Sequence, residues 1–257
     1  MLSPKNEKAR QPVFYAPPGH RSGDLIELPR SESHHALKVM RVKRGEIVVV
    51  VDGCGVAYRG EISGIVVRET VQVRIHAELR NFGEPLVRLQ LAAGLSSVSK
   101  FDSLVQKGTE LGVTRFVPLI CRTAKVKLDD PKKAAARVRR LQKVALAAIK
   151  QCRRSLLPEI TLPMTFDDLL LETDADSVNV IFHPSTTGTG LQDVLVGTKA
   201  KRVSILVGPE SGFTSDEEEA AVEAGYRTVS LGPRILRTET AGPVACALVM
   251  SLLGELR

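Results

Sequence analysis

Two stretches near the C-terminus carry the residues best placed to hold a small ligand. One reads Ile205-Leu-Val-Gly-Pro-Glu-Ser-Gly-Phe213 and the other Val229-Ser-Leu-Gly-Pro-Arg-Ile-Leu-Arg-Thr-Glu-Thr-Ala241. In each, an apolar strand-like run stops at Gly-Pro. Gly208 and Gly232 permit backbone geometry closed to other residues and let a ligand approach the main chain, while Pro209 and Pro233 fix φ and remove a donor. Rigid loops result. They lie about one strand-helix unit apart, and at the strand ends of a parallel α/β sheet that arrangement builds a ligand crevice.

The chemistry can be narrowed. Thr214 and Glu217 match a helix capping box, and Asp216, Glu218 and Glu219 beside Ser215 load that helix start with acid, which would repel a phosphate. Neither Gly-x-x-x-x-Gly-Lys-Ser/Thr nor Gly-x-Gly-x-x-Gly occurs, so a phosphate cradle finds no support. Metal catalysis lacks His-Glu-x-x-His or clustered Cys and His, and a serine hydrolase lacks its Gly-x-Ser-x-Gly elbow. In the second loop Pro243 is expected in the first turn of the last helix, capped by Thr240 or Gly242, with Arg237, Thr238 and Glu239 left on the loop.

The elements that position these loops fall into two groups. Residues 12 to about 80 show short β signals at 13–15, 24–28, 46–52, 56–62 and 65–77, separated by Gly-rich turns that suggest a small barrel. Asn81-Phe-Gly-Glu-Pro85 reads as a linker. Beyond it, apolar runs at 86–93, 116–121, 178–182, 203–207 and 228–231 alternate with helical patterns, which predicts a parallel α/β layer. Phe101, Leu104, Val105 and Leu111 share one helix face started by Ser99 and Asp102 and ended by Gly112. A helix is predicted from about Pro131 to Cys152, and a last one over 244–256 with a broad apolar face.

These residues resemble a known family. Gly208-Pro-Glu-Ser-Gly-Phe213 and Leu231 to Ala241 are similar to the signatures of the ribosomal RNA small subunit methyltransferase E family, which methylates N3 of a uridine in 16S rRNA. Lys100-Phe-Asp-Ser-Leu-Val-Gln-Lys-Gly-Thr-Glu-Leu-Gly-Val113, Gln151-Cys-Arg-Arg154 with Pro158-Glu-Ile160, and His35-Ala-Leu-Lys-Val-Met-Arg41 with Gly45 resemble further segments of it. The match runs from about residue 13 to 254. The chain departs from the pattern at Lys150, Arg153, Ser211 and Gly242-Pro243; Ser211 is a small change at negative φ and a costly one at positive φ.

The resemblance implies an α/β fold: a C-terminal parallel-sheet SPOUT domain with a deep trefoil knot over 86–257, preceded by a small PUA-like β-barrel RNA-binding domain over 1–80. It implies S-adenosyl-L-methionine as cofactor, held by Val207, Gly208, Pro209, Glu210, Gly212, Leu231, Gly232, Ile235, Leu236, Arg237, Glu239 and Thr240. Methyl transfer needs the donor in line with N3 and the N3 proton removed. Arg237 is the catalytic candidate, its cation stabilising a developing uracil anion, against the plainer reading of an ion pair with Glu210 or Glu239 that braces the loops. His34 and His35 read as surface or packed histidines, and Lys107 with Glu110 as a helix pair. No residue stands out as the general base.

Net charge is +7 and the isoelectric point about 9.4, which suits a polyanionic partner. Positive charge gathers on the 131–152 helix at Lys132, Lys133, Arg137, Arg139, Arg140, Lys143 and Lys150, and in the N-terminal domain at Arg21, Arg30, Lys38, Arg41, Lys43 and Arg44. The helix reads equally as a solvated face or as a phosphate contact. Arg21, Arg41, Arg44, Lys100 and Arg154 are the expected RNA contacts, and 16S rRNA in the small ribosomal subunit the expected partner. A non-catalytic ribosome-assembly module on the same fold, or a methyltransferase for a different RNA, are the alternatives. Cys54, Cys121, Cys152 and Cys246 are expected to be free thiols. The polar residues 1–10 lack a signal peptide's apolar run, and no stretch approaches about 18 apolar residues, so a cytoplasmic protein without membrane spans or metal is expected. A homodimer is expected, as in other knotted methyltransferases.

Overall fold

The computed structural model describes residues 11–66, 69–123, 130–184, 190–195, 197–198 and 200–256. The reading of residues 1–10 therefore lies outside the described residues. The chain divides into two compact units, Met1–Glu84 with Ile149–Leu157, and Pro85–Ala148 with Pro158–Arg257.

In the first unit six strands pair in the order β1-β4-β5-β6-β3-β2, where β1 is Val13–Tyr15, β2 Arg21–Ser22, β3 Leu25–Glu27, β4 Ile47–Val51, β5 Val56–Val66 and β6 Thr70–Arg80. Only β1 and β4 run parallel; the other neighbours are antiparallel. Alternate residues Phe14, Val48, Val50, Tyr58, Ile62, Val71 and Val73 meet in one core with Ile26, Leu28 and Ala36, since alternate residues of a strand share one face; in β4 the intervening Val49 and Val51 are buried too. The expected break after Ile62 is absent, because Gly60 and Gly64 mark register shifts within β5 rather than turns. A Cβ on Gly60 would lie 2.2 Å from the Arg74 carbonyl oxygen.

Helix α1 (Arg30–His34) continues as a π-helical turn over His35–Met40. Residues 149–157 complete this unit through buried charge. Arg154 Nη2 and Nε donate to Glu84 Oε2 at 2.8 and 3.0 Å, and the amides of Ser155 and Leu156 donate to Glu84 Oε1, both at 2.8 Å. Lys150, where the family pattern favours an acid, donates to the buried Glu32 at 2.6 Å, and Glu32 also accepts the Tyr15 amide at 3.1 Å. The substitution thus finds its counter-charge. Arg153 adopts φ 65°, and Gly83 opposite it admits no Cβ, which would fall 2.3 Å from the Arg153 carbonyl oxygen.

The second unit is a seven-stranded, wholly parallel sheet ordered β10-β8-β7-β12-β11-β13, with β9 also on β8. Its elements run β7 (Arg88–Gly94), α2 (Val98–Glu110), β8 (Val113–Ile120), α3 (Pro131–Cys152), β9 (Glu159–Ile160), β10 (Met164–Thr165), α4 (Phe166–Leu171), β11 (Val178–Phe182), α5 (Leu191–Leu195), β12 (Arg202–Val207), α6 (Ser215–Glu223), β13 (Arg227–Val229) and α7 (Thr238–Leu252). Leu91, Ala92 and Ala93 of β7 and Ile205, Leu206 and Val207 of β12 are all buried in succession. Continuous apolar runs are what strands covered on both faces require. After the edge strand β13 the chain returns, and α7 packs on α2 and on the central strands β7 and β12.

Two helix starts differ from expectation. Helix α2 has Ser97 rather than Ser99 at its N-cap position, and the Ser97 side chain makes no capping hydrogen bond. Helix α7 begins at Thr238 with Arg237 as its N-cap and carries Pro243 inside it. Its first turn closes through the Thr240 and Ala241 amides donating to the Arg237 carbonyl at 2.8 and 2.7 Å. Pro243 is accommodated because the residue before it is Gly242: a proline ring clashes with the Cβ of its predecessor in a helix, and glycine has none. That same missing Cβ leaves room for Leu104 Cδ1, which would be 3.1 Å away.

Candidate functional site

Strand β7 leads by α2 to β8 on one side, and β12 leads by α6 to β13 on the other, so the connections part between two adjacent strands. That is the switch point at which open α/β sheets hold ligands. The carboxyl ends meet closely there: a Cβ on Gly94 would lie 2.4 Å from Pro209 N and 2.6 Å from its Cδ. Glycine is therefore required for the β12 loop to seat against β7.

The loop after β12 is fixed by its own residues. The Gly212 amide donates to the Pro209 carbonyl at 2.9 Å, and Gly212 has φ 74°. Ser211 avoids positive φ, so it is tolerated where the family has glycine, and its Oγ donates to the Thr123 carbonyl at 2.9 Å. Thr123 Oγ1 in turn donates to the Gly212 carbonyl at 2.7 Å. The capping box forms as expected between Thr214 and Glu217, and Glu217 also accepts the Arg122 amide at 2.8 Å. The loop after β13 turns at Gly232, φ 94°, whose amide donates to Ser230 Oγ at 3.1 Å. Thr238 Oγ1 donates to the Gly208 carbonyl at 3.2 Å and ties the two loops together.

Between them lies a cavity of about 620 Å³, within the range of roughly 300–1,000 Å³ usual for small-molecule sites. Of the residues expected at a cofactor, Val207, Gly208, Pro209, Glu210, Gly212, Leu231, Gly232, Ile235, Leu236 and Arg237 line it. Glu239 and Thr240 do not. They occupy the first turn of α7, where their neighbours Thr238 and Ala241 face the cavity. The sequence did not point to a third loop, Phe182-His183-Pro184, which also contributes wall. The signal available was β11 ending at Phe182, beside Val207 in the sheet. Here His183 Nδ1 lies 3.0 Å from Glu218 Oε1, close enough for an ion pair but not aligned as a hydrogen bond.

Charge in the wall is specifically arranged. Lys100 Nζ donates to Glu210 Oε1 and sits 3.8 Å from Glu239 Oε1. The hydrogen bond that Lys100 donates to Glu210 holds the ammonium above its ordinary pKa. Both carboxylates thus lie against Lys100, and no described carboxylate lies within ion-pair distance of Arg237, which is exposed. The bracing pair considered for Arg237 is not formed.

The expected RNA contacts scatter. Arg41 and Arg44 are exposed in the first unit. Arg21 is committed within it, donating to Tyr58 Oη at 3.2 Å and Glu78 at 3.1 Å and stacking over the Tyr58 ring. Lys100 lies in the cavity wall. Arg154 is a correction: at 2 % exposure and bonded to Glu84 it cannot meet a phosphate. Burial of a guanidinium demands such a partner. Among the described residues no three His, Cys, Asp or Glu side chains gather as a metal site, and no helix is long and apolar enough to cross a membrane.

Comparison with known proteins agrees with this architecture. Residues 83–250 match the model of the RNA methyltransferase domain and 28–75 that of the RNA methyltransferase PUA domain. The ribosomal RNA small subunit methyltransferase E of Bacillus subtilis is 33% identical over 82% of this chain and 83% of its own length. The chain belongs to the ribosomal RNA small subunit methyltransferase E family. A second member, from Aquifex aeolicus, is 31% identical over 93% of this chain and 99% of its own. The small subunit methyltransferase E of Neisseria gonorrhoeae, solved with S-adenosyl methionine bound, superposes with a TM-score of 0.84 at 30% identity, covering 95% of this chain and 98% of that one. An α/β fold with a parallel sheet in the RNA methyltransferase domain and an N-terminal PUA domain follows for this member of the family.

Proposed function

We propose that this protein transfers the methyl group of S-adenosyl-L-methionine to N3 of a uridine in 16S rRNA, and that the cavity between the Gly208 and Gly232 loops holds the cofactor. The single observation that carries the reading is that cavity at the sheet's switch point, walled by the family's two signature loops. When bound, the cofactor supplies an electrophilic methyl on a sulfonium. The residues present fit it. Val207, Leu231, Ile235 and Leu236 offer apolar wall for the adenine, and the bare backbone at Gly208, Gly212 and Gly232 permits close approach. Thr238, bonded to the Gly208 carbonyl, fixes the loop spacing before ligand arrives.

Arg237 we assign to the uracil. Among the described residues no carboxylate lies within ion-pair distance of its cation, while Lys100 lies against Glu210 and Glu239, so the guanidinium is placed to stabilise negative charge developing as the N3 proton leaves. The division of labour follows the two units, with RNA held by the first and the cofactor by the second. A trefoil knot is supported by the return of α7 from the edge strand to the central strands. Association into a homodimer is supported by Leu248, Leu252 and Leu256, which stay 42%, 39% and 40% exposed near the C-terminus. The setting is the cytoplasm, where ribosomal subunits are.

The test uses small subunits from cells lacking this modification. Tritium from methyl-labelled cofactor should enter the 30S particle and not the 50S. Cofactor binding without transfer to 30S, or equal transfer to 50S, would defeat the assignment of substrate.

A further inference from the structure

Resting on the reading of this protein as an rRNA methyltransferase, we infer that residues 38–44 contact an unpaired nucleotide of the RNA, with Val39 and Met40 against the face of the base and Arg41, Lys43 and Arg44 on adjoining phosphates. The two apolar side chains are 61% and 46% exposed, next to each other, in a segment where only Val42 among residues 38–44 is buried. They are not on a loose loop. The π-helical turn closes by the amides of Arg41 and Val42 donating to the carbonyl of Ala36, itself fully buried in the β core. Upstream, Ser33 Oγ donates to the Leu28 carbonyl at 3.0 Å and accepts the Val71 amide at 3.1 Å, which fastens the turn to β6.

Two further features set this turn apart. π-helical turns are rare and gather at functional sites. Arg41 sits at φ 52° and ψ 42°, a left-handed conformation that is strained for an arginine and needs a reason to persist. The charges agree: Arg41, Lys43 and Arg44 are exposed and, among the described residues, have no ion-pair partner, whereas Lys38 is 3.8 Å from Glu69. Uncompensated cations bind phosphate by releasing counterions. They do not explain the apolar pair, which gains nothing from phosphate or from a ribose hydroxyl. A base face would bury it, and in RNA such faces are open only where bases are unpaired, because the A-form major groove is deep and narrow. Methionine suits the role, since its polarisable sulfur makes favourable contacts with aromatic rings.

The experiment measures anisotropy of the full-length protein with a labelled hairpin carrying an unpaired loop, and with a fully paired duplex of equal length, across a series of KCl concentrations. The double variant Val39→Ser, Met40→Ser should bind the hairpin about tenfold more weakly, a 1.4 kcal/mol difference, with duplex binding and salt slope unchanged. Lys43→Ala should weaken both ligands and reduce the slope of log K against log salt by roughly 0.7. Both variants should melt as the native protein does and bind S-adenosyl-L-methionine with native affinity by calorimetry. Native hairpin affinity in the double variant, an equal loss on hairpin and duplex, or loss of binding to anionic vesicles in place of RNA would overturn the inference while methyl transfer to 30S still stood. Native protein that transfers no methyl to 30S would instead remove the reading beneath it.

Discussion

Replacing Gly94 by alanine tests whether the cavity depends on the tight junction between β7 and the β12 loop. The added Cβ would lie 2.4 Å from Pro209 N, 2.6 Å from Pro209 Cδ and 2.8 Å from Pro209 Cα. These are backbone and ring atoms with no flexible end to swing aside. Restoring ordinary contact requires the Pro209 segment to retreat by about 1 Å, and overpacking of this kind costs about 1–3 kcal/mol. Each kcal/mol lowers the melting temperature by about 2–4 °C in a chain of this size. Function should suffer more than stability, because a displacement of about 1 Å at a positioning loop can cost on the order of 100-fold in rate. Calorimetric titration with S-adenosyl-L-methionine should show at least tenfold weaker binding, read beside thermal melts. Gly64→Ala is the control, since a Cβ there meets nothing within 4 Å and its φ is not positive. If Gly94→Ala bound cofactor with native affinity and melted with the control, the switch-point account of the cavity would be wrong.

Other expectations follow from single contacts. Arg237→Met should lower turnover by roughly 100-fold or more, as loss of an electrostatic donor to a developing charge does, with cofactor affinity little changed; a large affinity loss at normal turnover would place it in cofactor binding. Arg154→Met leaves Glu84 buried without its cation and should destabilise the first unit by about 3–5 kcal/mol in urea melts, while Arg154→Met with Glu84→Gln should recover part of the loss. Burial pushes the thiols of Cys121 and Cys246 up to about 12 from 9.0. Between those values the folded thiols keep protons that the unfolded ones lose, so the contribution is intact below pH 9 and falls as pH rises, by up to about 1.4 kcal/mol per pH unit for each thiol. Urea melts at pH 8 to 10.5 should show a shallower decline in Cys121→Ala, Cys246→Ala.

Much of this was readable beforehand because its causes are local. Val178–Phe182 was delimited as observed, since an apolar run between turn residues has few alternatives, and Thr214 with Glu217 declared its own capping box. Pro243 lies deeper in α7 than the rule against proline in a helix leads one to expect; Gly242 before it is visible in the sequence, but the close packing of that glycine on Leu104 is not. Gly64 reads as a turn residue between the runs 56–62 and 65–77, yet it lies at a strand irregularity that only the partner strand β6 reveals. Arg154 is expected at the RNA, and its buried partner Glu84, seventy residues away, cannot be read from the sequence. The Phe182-His183-Pro184 wall needed the sheet order, since nothing in those residues announces that β11 ends beside β12. The place of Lys100 in the cavity wall, against Glu210, is likewise invisible in the sequence.

The most direct measurement of the central claim is nucleoside mass spectrometry of 16S rRNA after incubation of unmodified 30S subunits with this protein and S-adenosyl-L-methionine. The account predicts one new 3-methyluridine per 16S rRNA with the native protein and a sharply reduced yield with Arg237→Met. A methyl group on a ribose oxygen or on uracil C5, or an unchanged yield in that variant, would contradict it.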